Sequence, residues 1–333
     1  MSSRVDVREQ LSRLVDRARR GSGGALVVEG EAGMGKTTLL EEIGDAADGF
    51  LVVRLAGAET EVDIDHVALH QLATALRGHL HAVPPAQRSV LSGALGWDVA
   101  DGAADLHLVG PATLSLLAAA ADSCPLLVLV DDLQWLDEGS RSALTFAARR
   151  LDSDPIAVLC STRSGRDDPE LGGIERLVLG RLSDDEARRL LPAGTSTEVA
   201  ERLLAATGGN PLALGETVRR LTESQLKGIA PLPDLIPIGR RLEAVFEPVI
   251  DGLSAEARFA LWLLAAHRGS ALAPILVALE PRCDDPPRVL DELEDSGLVE
   301  RDLIDVRVAH PLVRSAVWAR ARPSDRRDVH RSL

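Results

Sequence analysis

The sequence contains no tyrosine, only four phenylalanines and four tryptophans, and two lysines among its 333 residues. So few aromatic rings leave little surface on which bases can stack, which argues against a protein that binds single-stranded nucleic acid. The formal net charge of −14 points the same way, because polyanion binding rests largely on Lys and Arg side chains. The composition therefore makes the chain a poor non-specific nucleic-acid binder.

Cysteines and long apolar runs are also scarce. Cys124, Cys160 and Cys283 lie far apart and fit neither a disulfide framework nor a metal-ligand spacing. No apolar run approaches the roughly 20 residues that a helix needs to cross a bilayer. The charged amino terminus lacks the apolar core of a secretory signal. We therefore predict a cytoplasmic protein with no membrane partner.

Residues 1–182 predict an α/β nucleotide-binding domain. Short apolar segments alternate with segments of helical periodicity, and the apolar segments are nearly continuous rather than alternating. Such strands are typical of a parallel sheet that is covered by helices on both faces. The predicted strands are 25–29, 50–57, 125–132, 155–163 and 174–182.

The remainder of the chain predicts helices, a linker and a winged helix. A capping box of Ser183 and Glu186 begins a small helical lid domain over 183–228. Residues 229–239 are Pro-rich and are interpreted as a linker. Residues 240–333 show three helices followed by two short strands, the element order of a winged helix, and then the start of a further helix. Because no stop signal closes that helix, we expect the chain to be an amino-terminal fragment of a longer protein.

The stretch GEAGMGKT fits the phosphate-loop pattern G-x-x-x-x-G-K-[ST] and lies between a predicted strand and a predicted helix, as the motif requires. Backbone N–H groups of such a loop and the helix N-terminus face the phosphates. Lys36, one of the two lysines, would neutralise the β- and γ-phosphates, and Thr37 would bind Mg²⁺. The alternative is a Gly-rich turn with a solvated lysine. The predicted nucleotide-binding residues of this loop are Gly30, Glu31, Ala32, Gly33, Met34, Gly35, Lys36, Thr37 and Thr38.

Two later strands end in charged residues. The stretch LLVLVDDLQWLD delivers Asp131, a predicted Mg²⁺ ligand, and Asp132, the predicted group that orients or deprotonates an attacking water. Alternatively, Asp131 is a plain strand-end carboxylate and Asp132 only supports the metal shell. The next strand ends in STR, where Arg163 is predicted to sense the γ-phosphate, the alternative being a surface salt bridge.

Together with TGGNPLAL at Thr207–Leu214, these motifs resemble the signal-transduction ATPases with numerous domains (STAND), a class of AAA-like P-loop ATPases. Within this class the chain is most similar to the ATPase part of the large LuxR-type (LAL) transcriptional regulators of actinobacteria, relatives of the maltose regulator. The tail VAHPLVRSAVWARARPSDRRDVH is similar to the stretch that follows their winged helix. The resemblance covers nearly the whole chain. The family's superhelical repeats and helix-turn-helix are absent from it, so DNA would be reached only through a segment that this chain does not contain.

The resemblance implies three further nucleotide contacts. Pro211 of GGNPLAL would lie against the base, although a proline there also suits the first turn of a helix. His310 would touch the ADP β-phosphate, the alternative being a structural histidine. Arg8 occupies the place of the arginine in the family's opening Gly-Arg-Glu, but Val7 replaces the glycine.

These features lead to one main functional hypothesis and two alternatives. The main one is an ATP- and Mg²⁺-dependent switch that hydrolyses ATP slowly and differs in shape between its ATP and ADP states. It would respond to an unknown inducer or partner protein and self-associate on binding ATP. The first alternative, a DNA-acting ATPase of the initiator-loader type, is disfavoured because the helix at 286–297 carries Arg288 against four carboxylates. The second is a non-catalytic scaffold that holds ADP permanently.

Overall fold

Five parallel strands build the centre of the first part of the chain. The computed structural model describes residues 4–97, 108–164, 168–233, 236, 240–267 and 269–333. The strands are β1 (Gly24–Gly30), β2 (Leu51–Ala56), β3 (Leu126–Asp131), β4 (Ile156–Arg163) and β5 (Glu175–Val178). Their order in the sheet is β2-β3-β4-β1-β5, and all neighbours are parallel. This confirms the predicted parallel sheet.

Buried side chains point alternately to the two faces of this sheet. Leu26 and Val28 of β1 pack into a core with α1 and α2, whereas Val27 between them packs into a core with the other helices. Leu127 and Val128 divide in the same way on β3. The sheet is therefore covered on both faces, as predicted for nearly continuous apolar strands. The helices are α1 (Arg4–Arg19), α2 (Lys36–Asp45), α3 (Val67–Ala75), α4 (Pro85–Ala94), α5 (Val109–Ala121) and α6 (Glu138–Ala148).

The strand register brings three sequence motifs to one edge of the sheet. Gly30 at the end of β1 lies opposite Arg163 at the end of β4. Asp131 ends β3, which is the other neighbour of β4. Because β4 lies between β1 and β3, the ends of these three strands are adjacent, and ligands of open α/β sheets bind beyond such carboxyl ends.

The chain divides into two units, Met1–Gly180 and Arg181–Leu333. The second unit begins with the predicted lid helices, and the capping box of Ser183 and Glu186 is present at the start of α7. In the predicted linker, Leu232 and Ile236 are buried against these helices, whereas positions 234–235 and 237–239 lie outside the described residues. The helices are α7 (Asp184–Leu190), α8 (Thr197–Thr207), α9 (Pro211–Arg220) and α10 (Glu223–Leu226).

The rest of the second unit contains four helices, an antiparallel hairpin and two further helices, and the hairpin directly follows the last three of the four. This is the element order from which a winged helix was predicted, and that interpretation stays a prediction. A small hydrophobic cluster of Ala213, Leu312 and Ala316 joins α9 to α15, so the lid helices and the carboxyl-terminal helices share contacts within one unit. The elements are α11 (Arg240–Gly252), α12 (Ala255–Ala266), α13 (Leu272–Leu279), α14 (Pro286–Asp295), β6 (Val299–Arg301), β7 (Val306–Val308), α15 (Pro311–Arg320) and α16 (Pro323–Ser332).

Two further properties concern reactivity and membranes. Cys160 lies inside β4, and its burial raises the pKa of the thiol to about 12, so that it stays protonated at neutral pH. Among the helices of the described ranges, none has the length and apolar character needed to cross a membrane.

Candidate nucleotide site

The phosphate loop, defined here as Gly30–Thr37, connects β1 to α2. Gly35 has a left-handed φ of 80°, a conformation that favours glycine, and a Cβ there would lie 3.3 Å from the Arg4 guanidinium. The helix α2 begins directly afterwards, at Lys36, and its N-cap residue, Gly35, makes no side-chain hydrogen bond to the first turn. Its first N–H groups are therefore left for a ligand, as a helix N-terminus that binds an anion requires.

Lys36 lies inside this loop rather than in solvent. Its side chain is 7% exposed, and Nζ donates to the carbonyl oxygens of Gly30 at 2.8 Å and Glu31 at 3.0 Å. Burial lowers the pKa of Lys36 from its ordinary value, although nearby carboxylates oppose the effect. The loop thus presents a buried cation, which is what a phosphate cradle needs and what a solvated surface lysine would not provide.

The two predicted magnesium ligands contact each other. Thr37 Oγ1 donates to Asp131 Oδ2 at 2.6 Å, and Ser161 Oγ donates to the other carboxylate oxygen, Oδ1. Hydroxyl and carboxylate oxygens are the hard ligands that Mg²⁺ prefers, so the pair fits this ion. Within the described residues no three His, Cys, Asp or Glu side chains form a metal-binding group. An ion held by Thr37 and Asp131 would therefore take its other oxygens from water and phosphate.

Asp132 is held by Ser161 of β4 and by Gln134 of the turn after β3. Its backbone has a left-handed φ of 50°, and its N–H donates to Ser161 Oγ at 2.9 Å. One carboxylate oxygen, Oδ1, accepts from Gln134 Nε2 at 2.7 Å. Sequence reasoning assigned no role to Ser161 or Gln134. The polar serine inside the apolar strand of 155–163 is a signal that would have suggested one.

Arg163 lies at the end of β4, exposed, opposite Gly30 of the phosphate loop. Its guanidinium carbon is 5.4 Å from the centre of the Trp135 ring, within the range of a cation–π contact. Its positive charge is one of the causes that lower the pKa of Lys36, after burial. The structure therefore brings Arg163 to the edge where the phosphate loop begins, and its role as a γ-phosphate sensor stays a prediction.

Arg8 forms an exposed ion pair on α1, and the base contact that the family resemblance implies for it stays a prediction. Its guanidinium pairs with Glu42 of α2 at 3.1 Å, and both side chains are largely exposed. Arg4, one helical turn earlier on the same face, instead donates from Nη2 to the carbonyl oxygen of Met34 in the phosphate loop. Sequence reasoning missed Arg4, because it followed the Gly-Arg-Glu pattern instead of the helical spacing.

Asp137, the last carboxylate of LLVLVDDLQWLD, has a structural position. It is 3% exposed and accepts hydrogen bonds from the backbone N–H groups of His66, Ala68 and Ser140. It thereby caps α6 and accepts from N–H groups at the start of α3. Its role is therefore to hold these two helices, and not to face the phosphate loop.

Pro211 and His310 each begin a helix of the second unit. Pro211 is the first residue of α9, after Asn210 whose Oδ1 accepts from Ala213 N at 3.1 Å. The ring of His310 caps α15, with Nδ1 accepting from Leu312 N at 3.1 Å. An accepting Nδ1 carries no hydrogen, so Nε2 is the donor nitrogen of the neutral ring. Both structural roles are observed, and the nucleotide contacts implied by the resemblance stay predictions.

The His310 ring also lies beside the turn that precedes Pro211. Gly208 has a left-handed φ of 58°, and a Cβ at this position would be 3.2 Å from both Cε1 and Nε2 of the ring. The TGGNP turn and the start of α15 are thus packed closely within the second unit.

Comparison with known proteins supports an ATPase domain in the first part of the chain. Residues 3–159 match the sequence model of the AAA ATPase domain family. No functionally curated protein matches the chain.

Three solved structures are similar to this chain at low sequence identity. A STAND protein with a tetratricopeptide repeat sensor from Pyrococcus horikoshii is 18% identical with a TM-score of 0.42, over 96% of this chain and 43% of that one. A Walker-type ATPase of Pyrococcus abyssi is 13% identical with a TM-score of 0.46, over 95% and 97% of the two chains. A chain of the Drosophila ORC bound to DNA is 16% identical with a TM-score of 0.45, over 99% and 86%.

At such identities and TM-scores these likenesses carry no argument about function, and this chain spans less than half of the Pyrococcus horikoshii protein. The five-stranded parallel sheet, flanked by helices and carrying the phosphate loop after β1, is a P-loop NTPase α/β fold. The segment 3–159 of this fold is the part that matches an AAA ATPase domain.

Proposed function

We propose that the chain is an ATP-binding switch that hydrolyses ATP slowly, the regulatory ATPase part of a LuxR-type transcriptional regulator. The observation that carries the nucleotide-binding part is the contact of Thr37 Oγ1 with Asp131 Oδ2 at 2.6 Å. It joins the phosphate loop to the end of β3, so that a hydroxyl and a carboxylate oxygen that suit Mg²⁺ lie together next to the residue that follows Gly35 in the loop, Lys36. A Gly-rich turn with no ligand gives no reason for this arrangement.

Each polar side chain at this edge then has a distinct task. Lys36 binds the β- and γ-phosphate oxygens, and Arg163 binds the γ-phosphate. Thr37 and Asp131 hold Mg²⁺, which when bound supplies positive charge against the phosphates. Asp132 orients the attacking water and accepts its proton. Turnover is expected to be low, because an aspartate reaches less far than a glutamate would from the same position.

The packing inside the second unit supports the switch. The TGGNP turn lies against the His310 ring, and α9 and α15 share a hydrophobic cluster. A displacement of the lid turn would therefore be passed to the carboxyl-terminal helices by direct contact. In the proposed mechanism, ATP and ADP stabilise different positions of this unit through their different contacts with Pro211 and His310.

Direct action on DNA is disfavoured by the charges around α14. Arg301 of the hairpin contacts Asp291 and lies 3.2 Å from Glu294, so one of the few basic groups near this helix is already paired with carboxylates. A helix that reads DNA needs free basic groups toward the phosphates. The scaffold alternative holds ADP permanently, so it would show neither turnover nor a change of shape between ATP and ADP states.

Nucleotide analysis of the purified protein tests the proposal. We expect bound ADP in the wild type and none in Lys36→Ala, and a hydrogen-exchange pattern over 183–333 that differs between ATP and ADP. Identical exchange and hydrodynamic shape with both nucleotides would contradict the switch, and a strong preference for GTP would contradict the family assignment. Measuring the molecular mass in solution with each nucleotide checks the predicted self-association. The inducer and the cytoplasmic location stay predictions.

A further inference from the structure

Gln134 is a buried amide that connects the ends of two strands. It lies in the short turn Leu133–Trp135 after β3 and is 6% exposed. Its Nε2 donates to Asp132 Oδ1 at 2.7 Å. Its Oε1 accepts from Thr162 Oγ1 and from the backbone N–H of Arg163, each at 3.1 Å. One side chain therefore touches the predicted catalytic carboxylate and the backbone of the predicted phosphate sensor.

The orientation of this amide is determined by its partners. A backbone N–H can only donate, so the group that faces Arg163 N must be the oxygen Oε1. The NH₂ group is then directed to Asp132, whose carboxylate can only accept. If the amide were reversed, its NH₂ group would face the N–H donor of Arg163. Its oxygen would then face the carboxylate of Asp132. Both ends of Gln134 are thus specified by chemistry.

The neighbouring residue strengthens this connection. Trp135, in the same turn, places its ring beneath the Arg163 guanidinium at 5.4 Å. Two successive side chains of the turn therefore contact the end of β4, one at the backbone of Arg163 and one at its charged group. A change in the position of this strand end would be transmitted to Asp132 through Gln134.

We propose that Gln134 is a positioning residue for ATP hydrolysis, which sets the orientation of the Asp132 carboxylate and couples it to the strand end that carries Arg163. This inference rests on the proposed function, in which Asp132 accepts the proton of the attacking water. In this inference Gln134 acts through Asp132 and is assigned no contact of its own with the nucleotide or the water. Its loss should therefore lower kcat while leaving the binding of ATP nearly unchanged, because general-base catalysis depends on the position of the base.

Two variants separate the two ends of the amide. Gln134→Glu keeps an oxygen for Thr162 and Arg163 but presents a carboxylate, instead of a donor, to Asp132. Gln134→Met has a similar length and offers neither a donor nor an amide oxygen. Gln71→Glu makes the same chemical change at an exposed position of α3 and serves as the matched control. The full chain is used, with kcat, KM and the Kd for Mg²⁺·ATP measured between pH 6 and pH 8.5, and thermal unfolding as a check of folding.

We expect both Gln134 variants to lose about tenfold to a hundredfold in kcat at pH 8, with the Kd for ATP changed less than about twofold. As the pH falls, the introduced carboxyl of Gln134→Glu becomes protonated and again donates to Asp132. The ratio of its kcat to that of the wild type should therefore rise toward pH 6, whereas the ratio for Gln134→Met should stay flat. Gln71→Glu should match the wild type throughout.

Unchanged kcat in both variants overturns the inference, as does a loss of ATP affinity as large as the loss of kcat. The same pH profile for both variants would also overturn it, since a merely structural residue would give that result. If Gln134→Glu does not fold, the kcat and Kd of Gln134→Met decide. A wild-type chain that hydrolyses no ATP would overturn the proposed hydrolysis together with this inference, whereas normal wild-type turnover with unaffected variants would overturn only the inference.

Discussion

Replacing Lys36 by methionine should weaken nucleotide binding about a hundredfold without unfolding the first unit. The side chain of methionine has about the same length as that of lysine. Because it is apolar, it can occupy the buried space of Lys36 without a charge. The two carbonyl groups that Lys36 bonds keep other partners: Gly30 O accepts from Ser164 N at 3.3 Å, and Glu31 O accepts from Met34 N at 3.4 Å. Both carbonyl groups therefore keep a hydrogen bond after the substitution. The variant avoids the usual cost of removing a buried polar side chain, which is an unsatisfied buried partner.

The pKa of Lys36 determines the sign of the effect on the free protein. Burial lowers this pKa in the folded unit below the ordinary value of 10.5 that the unfolded chain retains. Between the two values the unfolded chain binds more protons, so stability rises with pH through that alkaline window. Below that window the full penalty of burying the charged side chain is present. Lys36→Met removes that penalty, so its melting temperature without nucleotide should be equal to or higher than that of the wild type.

The effect on binding can be estimated from the contacts that the ammonium would make. A hydrogen bond to a charged group contributes about 1.5–3 kcal/mol, so losing the phosphate contacts of Lys36 should cost about 3 kcal/mol and weaken Kd about a hundredfold. At an ATP concentration of about 100 times the wild-type Kd, binding stabilises the wild type by about 2.7 kcal/mol. For a unit of 180 residues this raises Tm by about 5–10 °C. At the same concentration the variant gains only about 0.4 kcal/mol, or about 1 °C.

Thermal unfolding with and without Mg²⁺·ATP measures both quantities in one experiment. Lys227→Met is the matched control, because Lys227 is the other lysine of the chain and forms an exposed pair with Glu223 in the second unit. This control should keep the full ATP-induced shift. An ATP-induced shift of wild-type size in Lys36→Met would refute the assignment of Lys36 as the phosphate-binding cation. A lower Tm of the nucleotide-free variant would refute the reasoning from its burial.

Four further substitutions test other residues of the first unit. Arg4→Ala should weaken ATP binding by about tenfold in calorimetry, because Arg4 holds the phosphate loop. Arg8→Ala only breaks an exposed ion pair and should change the Kd for ATP less than about twofold. A larger effect of Arg8→Ala than of Arg4→Ala would favour the arginine position that the family resemblance implies. Asp131→Asn should lower Mg²⁺-stimulated hydrolysis by about a hundredfold or more in a magnesium titration, and an unchanged magnesium dependence would exclude Asp131 as a ligand. Asp137→Ala should lower Tm by about 6–12 °C, because three backbone N–H groups lose their acceptor at a cost of about 1 kcal/mol each. The Kd for ATP, measured below the unfolding transition, should stay unchanged. An unaffected Tm would contradict the capping role of Asp137.

Local patterns were sufficient to predict the strands and the phosphate loop. Continuous apolar runs bounded by turns predict buried parallel strands, and all five are present. The order β2-β3-β4-β1-β5 could not be obtained in this way, because a hydrophobic run specifies burial but not which neighbour it pairs with. That order matters for the site, since it is the insertion of β4 between β1 and β3 that brings Ser161 and Arg163 between the phosphate loop and Asp131.

The arginines of the first helix show where a motif comparison is weaker than geometry. Arg8 was predicted from its place in a three-residue pattern, and nothing here tests its contact with a base. Arg4 and Arg8 are four residues apart and share a helix face, but Arg4 donates to Met34 O of the loop whereas Arg8 pairs with Glu42. Which turn of a helix faces a loop depends on how the helix packs on the sheet, and that packing is not encoded in the local spacing.

The stretch LLVLVDDLQWLD illustrates how one motif combines several physical tasks. Asp131 contacts Thr37, Asp132 accepts from Gln134, and Asp137 binds backbone N–H groups at the starts of two helices. From sequence, Asp131 and Asp132 are predicted site residues and Asp137 is assigned no role, although all three are short acidic side chains in one stretch. Burial distinguishes them: Asp137 is 3% exposed with its oxygens taken up by backbone donors, whereas Asp131 and Asp132 are only half-buried. Substitutions within seven residues of one another should therefore separate into losses of turnover and losses of stability, and the boundary between the two classes should fall after Gln134.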